Sequence, residues 1–452
     1  MLKKMGVQLF ACLLIVSLIA GCGSNSNTSS SPEKTNEASS SGTPAESGTA
    51  ESKNDEAFTI TVSSWNLADE PLGIVKAYRE TFEAIYKEKY PNAKIEYLNT
   101  PSDKYFDVLK AQMASASAAD VVQLQWTQIP LFAKAGYLTD LSDMPFVASI
   151  DGSAKIQSTY KGAIYAAPFD ISTNGVWYNR KLFADNNMTP PKSWDELLQI
   201  AETFKTQGIT PFAGGFKDGW VAGMTVSVFT PNEYGSDSFE LDVYNGKKKV
   251  NGPEIQAAFQ KLQLLYEKGY FGPDALSNGW DLQRKLFEDG KAAMIIHGSY
   301  IAGLVNSEMK DKGGMETGFF ALPHDKGGPV LSVGSGVLTA VNAKTKDVQR
   351  AKDLVTAMYD PKAQIVRDKD SGTFPAMKGI DIDYKEIGNK DFLQVVGSTK
   401  SVIAGRYLPP STGDIFTKIF TKILAGKKFE PKWLDEVDRA LEQDKALINP
   451  PE

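Results

Sequence analysis

The sequence predicts an α/β protein, because strand and helix patterns alternate along most of the chain. Apolar and polar side chains alternate at residues 58–63, which is typical of a half-buried strand. A helical apolar spacing follows at residues 75–85, and further strand patterns lie at residues 95–98 and 120–124. This β-α-β-α-β order favours a mainly parallel sheet with helices on both faces.

A second set of strand and helix patterns begins near Phe169. Strand patterns lie at residues 176–179, 292–296 and 334–340. Ser193 and Glu196 form a capping box at the start of one helix, and Pro253 suits the first turn of another. Later helix patterns cover residues 348–359, 415–424 and 431–441. About 400 residues follow position 56, which is enough for two domains of ordinary size.

Residues 214–252 fit neither a strand nor a helix pattern, and they are rich in glycine and aromatic residues. A long segment of this kind inside a compact domain is often functional. We therefore expect loops that line a site.

The start of the chain predicts export and lipid attachment. Lys3 and Lys4 precede an apolar run at residues 7–20, which is too short to span a membrane comfortably and is typical of a signal peptide. The run ends in the residues Leu-Ile-Ala-Gly-Cys, which resemble the lipobox of bacterial lipoproteins. In that family the cysteine receives a diacylglycerol and becomes the new N-terminus. We expect residues 1–21 to be removed and Cys22 to carry lipid; an ordinary secretory signal is the alternative.

The segment after Cys22 is predicted to be a flexible tether. Residues 23–56 contain no aromatic residue and no Val, Leu, Ile or Met, so they have nothing to bury. A flexible coil of this length spans roughly 30 Å. Residues 22–56 would then hold a folded body clear of a membrane, which is most useful in a cell without an outer membrane. A Gram-positive host is favoured on that ground.

Composition excludes several classes of protein. The chain has two cysteines, Cys12 in the predicted signal peptide and Cys22 at the predicted lipid site, which leaves none for disulfides, zinc thiolates or a thiol nucleophile. The net charge is −6, and it becomes more negative when Lys3 and Lys4 are lost. That balance argues against nucleic acid as a partner and against electrostatic adhesion to anionic lipid. His297 and His324 are isolated, and no cofactor motif is present, so no cofactor or metal is expected.

Several segments, in order, carry the motifs of one protein family. Residues 135–141 read AGYLTDL, residues 190–197 read PPKSWDEL, and residues 287–300 contain the spaced series Phe, Gly, AAM and GSY. Residues 162–168 and 177–183 match more loosely. Together they resemble the family 1 extracellular solute-binding proteins, the relatives of maltose-binding protein that serve ABC importers.

The resemblance implies a type II periplasmic-binding-protein fold, in which two α/β lobes joined by hinge strands close on a ligand. Residues 57–167 and 327–372 would form the N-terminal lobe, and residues 168–326 and 373–452 the C-terminal lobe. The chain would cross near Pro168, near Leu322 and at residues 373–375.

The resemblance also implies a function. The protein would be a monomer that captures a carbohydrate, with an oligosaccharide expected, and delivers it to the permease of an ABC transporter. Two alternatives stay open. A surface glycoside hydrolase is possible because its carboxylate pair has no fixed sequence spacing, and a binding protein could instead feed a sugar sensor.

The candidate site combines aromatic rings with polar groups. A ring covers the C–H face of a pyranose, while carboxylates, amides and arginine bind its hydroxyls. The candidates near strand ends and loops are Trp65, Asn66, Asp69, Glu70, Trp126, Asp170, Trp220, Trp280, Asp281, Tyr300, Arg406 and Tyr407. The resemblance supports Trp65, Tyr300 and the Arg406 region. For Asp170 and Arg406, an ionic contact between lobes is the alternative. Trp177, Trp194 and Trp433 are expected to lie in the core.

Overall fold

The structure of the protein is a computed structural model. It describes residues 56–65, 67, 75–309, 315–371, 373–384 and 387–450, and these belong to one compact unit of the chain, Glu51–Glu452. The predicted signal peptide, Cys22 and the predicted tether up to residue 55 lie outside the described residues, as do Asn66, Asp69 and Glu70. In the described part, no helix is both long and apolar enough to cross a bilayer.

Two large sheets contain most of the described strands. The strands are β1 (Phe58–Ser64), β2 (Ala93–Asn99), β3 (Val121–Leu124), β4 (Thr159–Tyr160), β5 (Ala163–Ile164), β6 (Ala167–Pro168), β7 (Ser172–Asn179), β8 (Thr210–Phe212), β9 (Ala292–Gly298), β10 (Thr317–Phe320), β11 (Val330–Gly334), β12 (Leu338–Val341) and β13 (Lys400–Val402). The first sheet has the order β2-β1-β3-β12-β6, and the second has the order β13-β11-β7-β9-β8 with β10 also paired to β7. β12 runs against its neighbours in the first sheet, as β7 does in the second. The remaining strands of each sheet run in one direction, so both sheets are mainly parallel, as predicted.

Helices cover these sheets. They are α1 (Lys76–Lys89), α2 (Ser102–Ala114), α3 (Ile129–Lys134), α4 (Gly152–Ser158), α5 (Arg180–Asp185), α6 (Trp194–Thr206), α7 (Gly219–Tyr234), α8 (Asp237–Tyr244), α9 (Pro253–Glu267), α10 (Trp280–Glu288), α11 (Ile301–Met309), α12 (Val348–Met358), α13 (Pro361–Ser371), α14 (Ile387–Ser398), α15 (Thr412–Leu424) and α16 (Asp435–Asp444). α1, α12 and α13 pack together beside the first sheet, and α7, α9 and α15 pack together beside the second. Each sheet with its helices forms one lobe, called here the first lobe and the second lobe.

The first sheet is buried on both faces. Ile60 and Val62 of β1 lie in a core with Phe82 of α1, whereas Val122 of β3 lies in another core with Leu109 of α2. Because alternate residues of a strand point to opposite faces, the period-two pattern of β1 correctly indicated one buried face of this strand.

The second sheet is also covered on both faces. Trp177 is fully buried in a core with Ile295 and Phe392. Its neighbour Tyr178 lies in the core on the other face, together with Trp194. Trp177 is 0% exposed and Trp194 is 7% exposed, which agrees with the expectation that both are core residues.

Hydrogen bonds join the segments that run between the sheets. The Phe169 N–H donates to the Val337 carbonyl at 2.7 Å, and the Ile171 N–H donates to the Phe374 carbonyl at 2.8 Å. Phe169 and Ile171 lie between β6 and β7, and Val337 lies between β11 and β12. The crossing segments therefore lie side by side and form a hinge.

The strand pairing differs from the predicted lobe boundaries in two places. The boundary at residue 327 assigns β11 to the first lobe, but β11 is hydrogen-bonded to β7 and β13 in the second sheet, so the return crossing lies after Gly334 rather than near Leu322. The predicted second lobe also includes the last residues of the chain. However, the Asn449 side chain donates to the Thr159 carbonyl and accepts from the Lys161 N–H, both at 2.8 Å. Apolar periodicity does not show which sheet a strand or tail joins, and long-range pairing decides it.

Candidate functional site

Trp65 and Trp126 lie at the same edge of the first sheet. Trp65 directly follows β1, and Trp126 lies just beyond β3. These two strands are parallel neighbours, with Val62 opposite Val121, so their carboxyl ends share one edge. Both tryptophans are half-buried, and each therefore keeps exposed ring surface that a ligand could cover.

The second-lobe candidates also follow strand ends at one edge. Trp220 lies in the first turn of α7 after β8, Tyr300 follows β9, and Arg406 follows β13. β8 is parallel to β9, β13 is parallel to β11, and both β9 and β11 run against β7. The ends of these strands therefore lie at the edge of the second sheet where β7 begins.

The hinge turns these two edges toward each other. β6 ends at Pro168, opposite Leu338, and β7 begins at Ser172 directly after the crossing. A contact between the lobes agrees with this arrangement, because a Cβ atom added to Gly405 would lie 2.4 Å from the Trp126 ring. The carboxyl ends of strands in open α/β sheets are the usual place for ligands. The two sets of strand ends therefore face each other across the hinge, and the region between them is called here the cleft.

A set of three rings lies on the first-lobe side and is called here the first wall. Trp65 packs edge-on against Tyr105 and Phe106 of α2, with ring centroids 4.9 and 5.5 Å apart. Tyr105 is buried, and its hydroxyl donates to the Ser63 carbonyl at 2.9 Å. Two rings of α2 therefore hold Trp65 at the end of β1.

Four rings form the second wall, on the opposite side of the cleft. Trp280 stacks on His297 with centroids 4.3 Å apart, and it lies 5.5 Å from Trp220 and 6.3 Å from Tyr300. The backbone N–H of Trp280 donates to an Asp218 carboxylate oxygen at 2.7 Å. That bond fixes the start of α10 to the turn before α7, and so brings together two rings that are far apart in sequence.

His297 is the member of the second wall that sequence reasoning set aside as isolated. It is fully buried, and burial lowers its pKa to about 3, so the imidazole is neutral at physiological pH. Neither ring nitrogen has a hydrogen-bond partner among the described residues. His297 lies near the end of β9, opposite Gly175, and its position shortly before Tyr300 was the signal that could have placed it here.

Asp170 lies in the hinge, at the base of the cleft. It is 6% exposed, and one carboxylate oxygen accepts from the Gly336 N–H at 3.2 Å. Burial raises its pKa to about 6, and nearby Arg367 opposes that change. Burial also raises the pKa of Tyr300, and the charge of Asp170 adds to this effect. Asp170 therefore ties crossing segments together and lies near one ring of the second wall.

A buried ion pair lies beside Asp170. Arg367 and Asp368 are both 0% exposed, and the Arg367 Nε–H donates to Asp368 at 2.8 Å. The Thr373 hydroxyl donates to the same carboxylate oxygen at 2.7 Å, and the guanidinium lies 4.3 Å from the Phe169 ring centroid. Charges and rings thus link α13 to two hinge segments. An ionic contact between the lobes through Asp170 stays a prediction.

The remaining candidates occupy different surroundings. Arg406 is half-buried, with its guanidinium 5.0 Å from the Tyr407 ring centroid. The Tyr407 side chain is 7% exposed, so its ring is mainly a packing element. Asp281 is exposed in the first turn of α10, next to Trp280. Among the residues that the structure describes, no group of three or more His, Cys, Asp or Glu is placed to hold a metal ion.

The sequence profile of the bacterial extracellular solute-binding proteins matches residues 70–365, which is more than half of the chain. The chain belongs to the bacterial extracellular solute-binding protein family. This finding confirms the resemblance drawn from the motifs. A solute-binding protein is expected to hold its ligand between two lobes, and the cleft described above is the place where the two sets of strand ends meet.

Individual solute-binding proteins extend the comparison. An ABC transporter extracellular-binding protein of Pyrococcus horikoshii is 26% identical over 451 residues, covering 98% of this chain and 97% of that protein. The multiple sugar-binding protein of Streptococcus mutans is 24% identical over 333 residues, covering 71% and 76%. A solved structure of a chitin oligosaccharide binding protein matches with a TM-score of 0.75 at 22% identity, covering 86% of this chain and 99% of that one. The structural likeness confirms the two-lobed type II fold.

Proposed function

We propose that this solute-binding protein captures an oligosaccharide in the cleft and delivers it to the permease subunits of an ABC transporter. The observation that carries the proposal is the pair of aromatic walls on facing strand ends. Trp65 and Trp126 supply half-buried rings from the first lobe, and Trp220, Trp280 and Tyr300 supply them from the second. Rings on both sides suit the C–H faces of a sugar.

The polar candidates would bind the sugar hydroxyls around these rings. Among the candidates of the second lobe, Arg406 and Asp281 are charged side chains that are partly or fully exposed. Asn66, Asp69 and Glu70 follow Trp65 in sequence and would supply amide and carboxylate groups from the first lobe. Hydrogen bonds to charged groups are the stronger ones once water is expelled. More rings are available than the two faces of one pyranose need, which favours an oligosaccharide.

Two comparisons support a carbohydrate as the ligand and an ABC transporter as the partner. The Streptococcus relative is a multiple sugar-binding protein, and the Pyrococcus relative is an extracellular-binding protein of an ABC transporter. We propose binding without catalysis on the same ground, since the family consists of solute-binding proteins. A glycoside hydrolase would cleave an oligosaccharide during incubation, and a sensor component would be encoded without a neighbouring permease gene.

We further propose that Cys22 carries a lipid and that residues 22–56 act as the tether between the membrane and the folded body. The lipobox-like sequence before Cys22 supports the anchor, and the tether contains no aromatic residue and no Val, Leu, Ile or Met that could enter the membrane instead. The protein would act as a monomer on the outer surface of a Gram-positive cell membrane, without a nucleic-acid partner. Cys22→Ala should yield unprocessed or released protein. A mutant that is cleaved and still held by the membrane would contradict the anchor.

The carbohydrate proposal is tested by a thermal-shift screen. The panel contains chitin, xylan, raffinose-type and malto-oligosaccharides, together with their monosaccharides. A ligand that binds only the folded state raises the melting temperature by mass action, so at least one oligosaccharide should give a concentration-dependent rise. Calorimetric titration then measures its affinity, and chromatography of the incubated sugar checks for cleavage. A panel without any rise would contradict the proposed ligand class.

A further inference from the structure

A buried carboxylate lies under the loop that carries Arg406. Glu240, in α8, is 2% exposed. One of its oxygens accepts from the Gly405 N–H at 2.7 Å and from the Tyr234 hydroxyl at 2.8 Å. The other oxygen accepts from the Tyr407 N–H at 3.1 Å. The two backbone bonds are on either side of Arg406, so Glu240 fixes the main chain that presents this residue.

The same loop also contacts the first lobe. Asp237, at the start of α8, accepts from the Ile403 N–H at 3.1 Å, so two carboxylates of one helix hold the main chain at three places. Gly405 has a φ of +82°, a conformation that suits glycine. Its Cα approaches the Trp126 ring so closely that an added Cβ would lie 2.4 Å from that ring. The loop conformation therefore sets how the second lobe meets Trp126.

The surroundings of Glu240 are unusual for a charged group. Its partners among the described residues are N–H and O–H donors, and no Lys or Arg of the described residues forms an ion pair with it. Burial raises its pKa to about 7, the three hydrogen bonds oppose that change, and the charge of Asp237 adds to it. The titratable groups that face Glu240 are thus Tyr234 of α7 and Asp237 of α8.

We propose that Glu240 is a positioning residue of the ligand site, whose ionised carboxylate holds residues 403–407 in the conformation that meets Trp126 and presents Arg406 to the ligand. This inference deepens the proposed function and rests on it. The physical reason is the number of acceptors. A carboxylate accepts several N–H bonds at once. A protonated carboxyl group or an amide in its place would instead turn an O–H or N–H donor toward one of the loop N–H groups, which is itself a donor. The loop amides would then lose a partner in a buried place.

Glu240→Gln tests the proposal, because it keeps the size of the side chain and removes one acceptor. The sugar with the largest thermal shift in the panel should bind the variant about tenfold more weakly at pH 8, as expected for one lost charge-assisted bond. Glu202→Gln is the matched control. Glu202 also accepts from a tyrosine hydroxyl, that of Tyr270 at 2.7 Å, but it is exposed on α6 and has no bond to the loop. It should bind like wild type.

Tyr234→Phe provides a second comparison. It removes the hydroxyl bond to Glu240 and leaves both loop bonds, and the ring keeps its stacking with Phe239 at 5.0 Å between centroids. Its affinity should therefore fall much less than that of Glu240→Gln. A loss as large as that of Glu240→Gln would mean that general packing around α8, rather than the loop bonds, controls the site.

The pH dependence separates positioning from a structural role. Ionised Glu240 is the form that holds the loop, so the wild-type affinity should fall as the pH drops through about 7, and Glu240→Gln should lack this component. Folding responds in the opposite direction. The pKa of Glu240 in the folded protein, about 7, is above its ordinary value of 4.5. The contribution of Glu240 to the free energy of unfolding is therefore greatest below pH 4.5 and is lost as the pH rises through 7. Affinity and melting temperature should therefore shift in opposite directions in wild type, and neither component should remain in the variant.

Hydrogen exchange of the ligand-free protein tests the loop without any sugar. The amides of Gly405 and Tyr407 should exchange at least several-fold faster in Glu240→Gln than in wild type and Glu202→Gln. Unchanged exchange together with unchanged affinity would overturn the positioning role. If no panel sugar binds wild type, the proposed function fails, yet faster exchange in Glu240→Gln would still support the positioning of the loop.

Discussion

The first and second walls of the cleft are built differently. In the first wall, Trp65 is half-buried and rests on Tyr105 and Phe106 at the end of a strand. In the second wall, Trp280 contacts other rings of the same wall and also packs partly against three hydrophobic cores, including that of the first lobe. We therefore expect a change in the first wall to affect ligand binding more than fold stability, and a change in the second wall to affect both.

Trp280→Ala should show the largest effect, because it tests the coupled wall. Removal of a ring packed against three cores leaves a cavity and should lower the free energy of unfolding by about 3 kcal/mol or more. Loss of a central ring should also weaken sugar binding by about a hundredfold. Denaturant unfolding and calorimetric titration measure the two losses. Asp281→Ala, next to it and exposed, is the control and should retain stability. If Trp280→Ala keeps the stability and the sugar affinity of wild type, stability and binding are not coupled in the second wall.

Trp194→Ala separates stability from binding in the second lobe. Trp194 is 7% exposed, packs edge-on against Phe229 with centroids 6.2 Å apart, and has Lys261 4.8 Å above its ring. We expect the free energy of unfolding to fall by about 3 kcal/mol or more. Affinity should stay near wild type at a temperature where the variant is folded, because this ring belongs to the core of α6. A large loss of affinity in folded protein would show that damage to the core alone mimics a site mutation.

Trp65→Ala tests the first wall. Its ring replaces water on one apolar face of the sugar, so truncation should weaken binding by about 1–3 kcal/mol, or ten- to a hundredfold. The loss of unfolding free energy should be smaller than that of Trp280→Ala, because the Trp65 ring packs against one hydrophobic core, whereas the Trp280 ring packs against three. Denaturant unfolding and calorimetric titration measure the two losses for Trp65→Ala as well. If Trp65→Ala destabilises the fold as much as Trp280→Ala, the two walls do not differ in how much their rings contribute to fold stability.

Asp170→Asn should show the smallest effect, and it concerns the hinge between the two walls. The folded pKa of Asp170, about 6, is above the ordinary 3.8, so its stabilising contribution is present below pH 3.8 and is lost as the pH rises through 6. The variant lacks this titration. Its melting temperature relative to wild type should therefore change by a few °C, roughly, between pH 4 and pH 7. A constant difference across that range would exclude Asp170 as the titrating group.

Local signals in the sequence predicted much of the fold. The capping box before α6 is present in part, since the Ser193 hydroxyl accepts from the Glu196 N–H at 3.1 Å. The Glu196 carboxylate, however, accepts from the Lys192 N–H instead of the Ser193 N–H. Strand alternation in β1 and the family motifs, which the family profile confirms, led to the two-lobed fold. These signals are local or ordered along the chain, so one sequence was sufficient to read them.

The missed features depend on contacts between distant residues. The sequence predicts loops at residues 214–252, but α7 lies there. Its buried residues, which include Val221, Val226, Val228 and Phe229, lie around the whole helix. A helix that is buried on all sides has no apolar stripe to detect. Glu240 gave no signal either, since a glutamate in a helix normally faces solvent. Its role became visible only when the chain brought α8 under a loop more than 160 residues later.

The central claim is that one sugar contacts both walls. The most direct measurement is a calorimetric titration of the oligosaccharide selected by the panel into wild type, Trp65→Ala, Tyr300→Ala and the double variant. Each single change should weaken binding of that same sugar by about ten- to a hundredfold, and the double change should weaken it further than either alone. Wild-type affinity in both single variants and in the double variant would contradict the placement of the ligand between the walls.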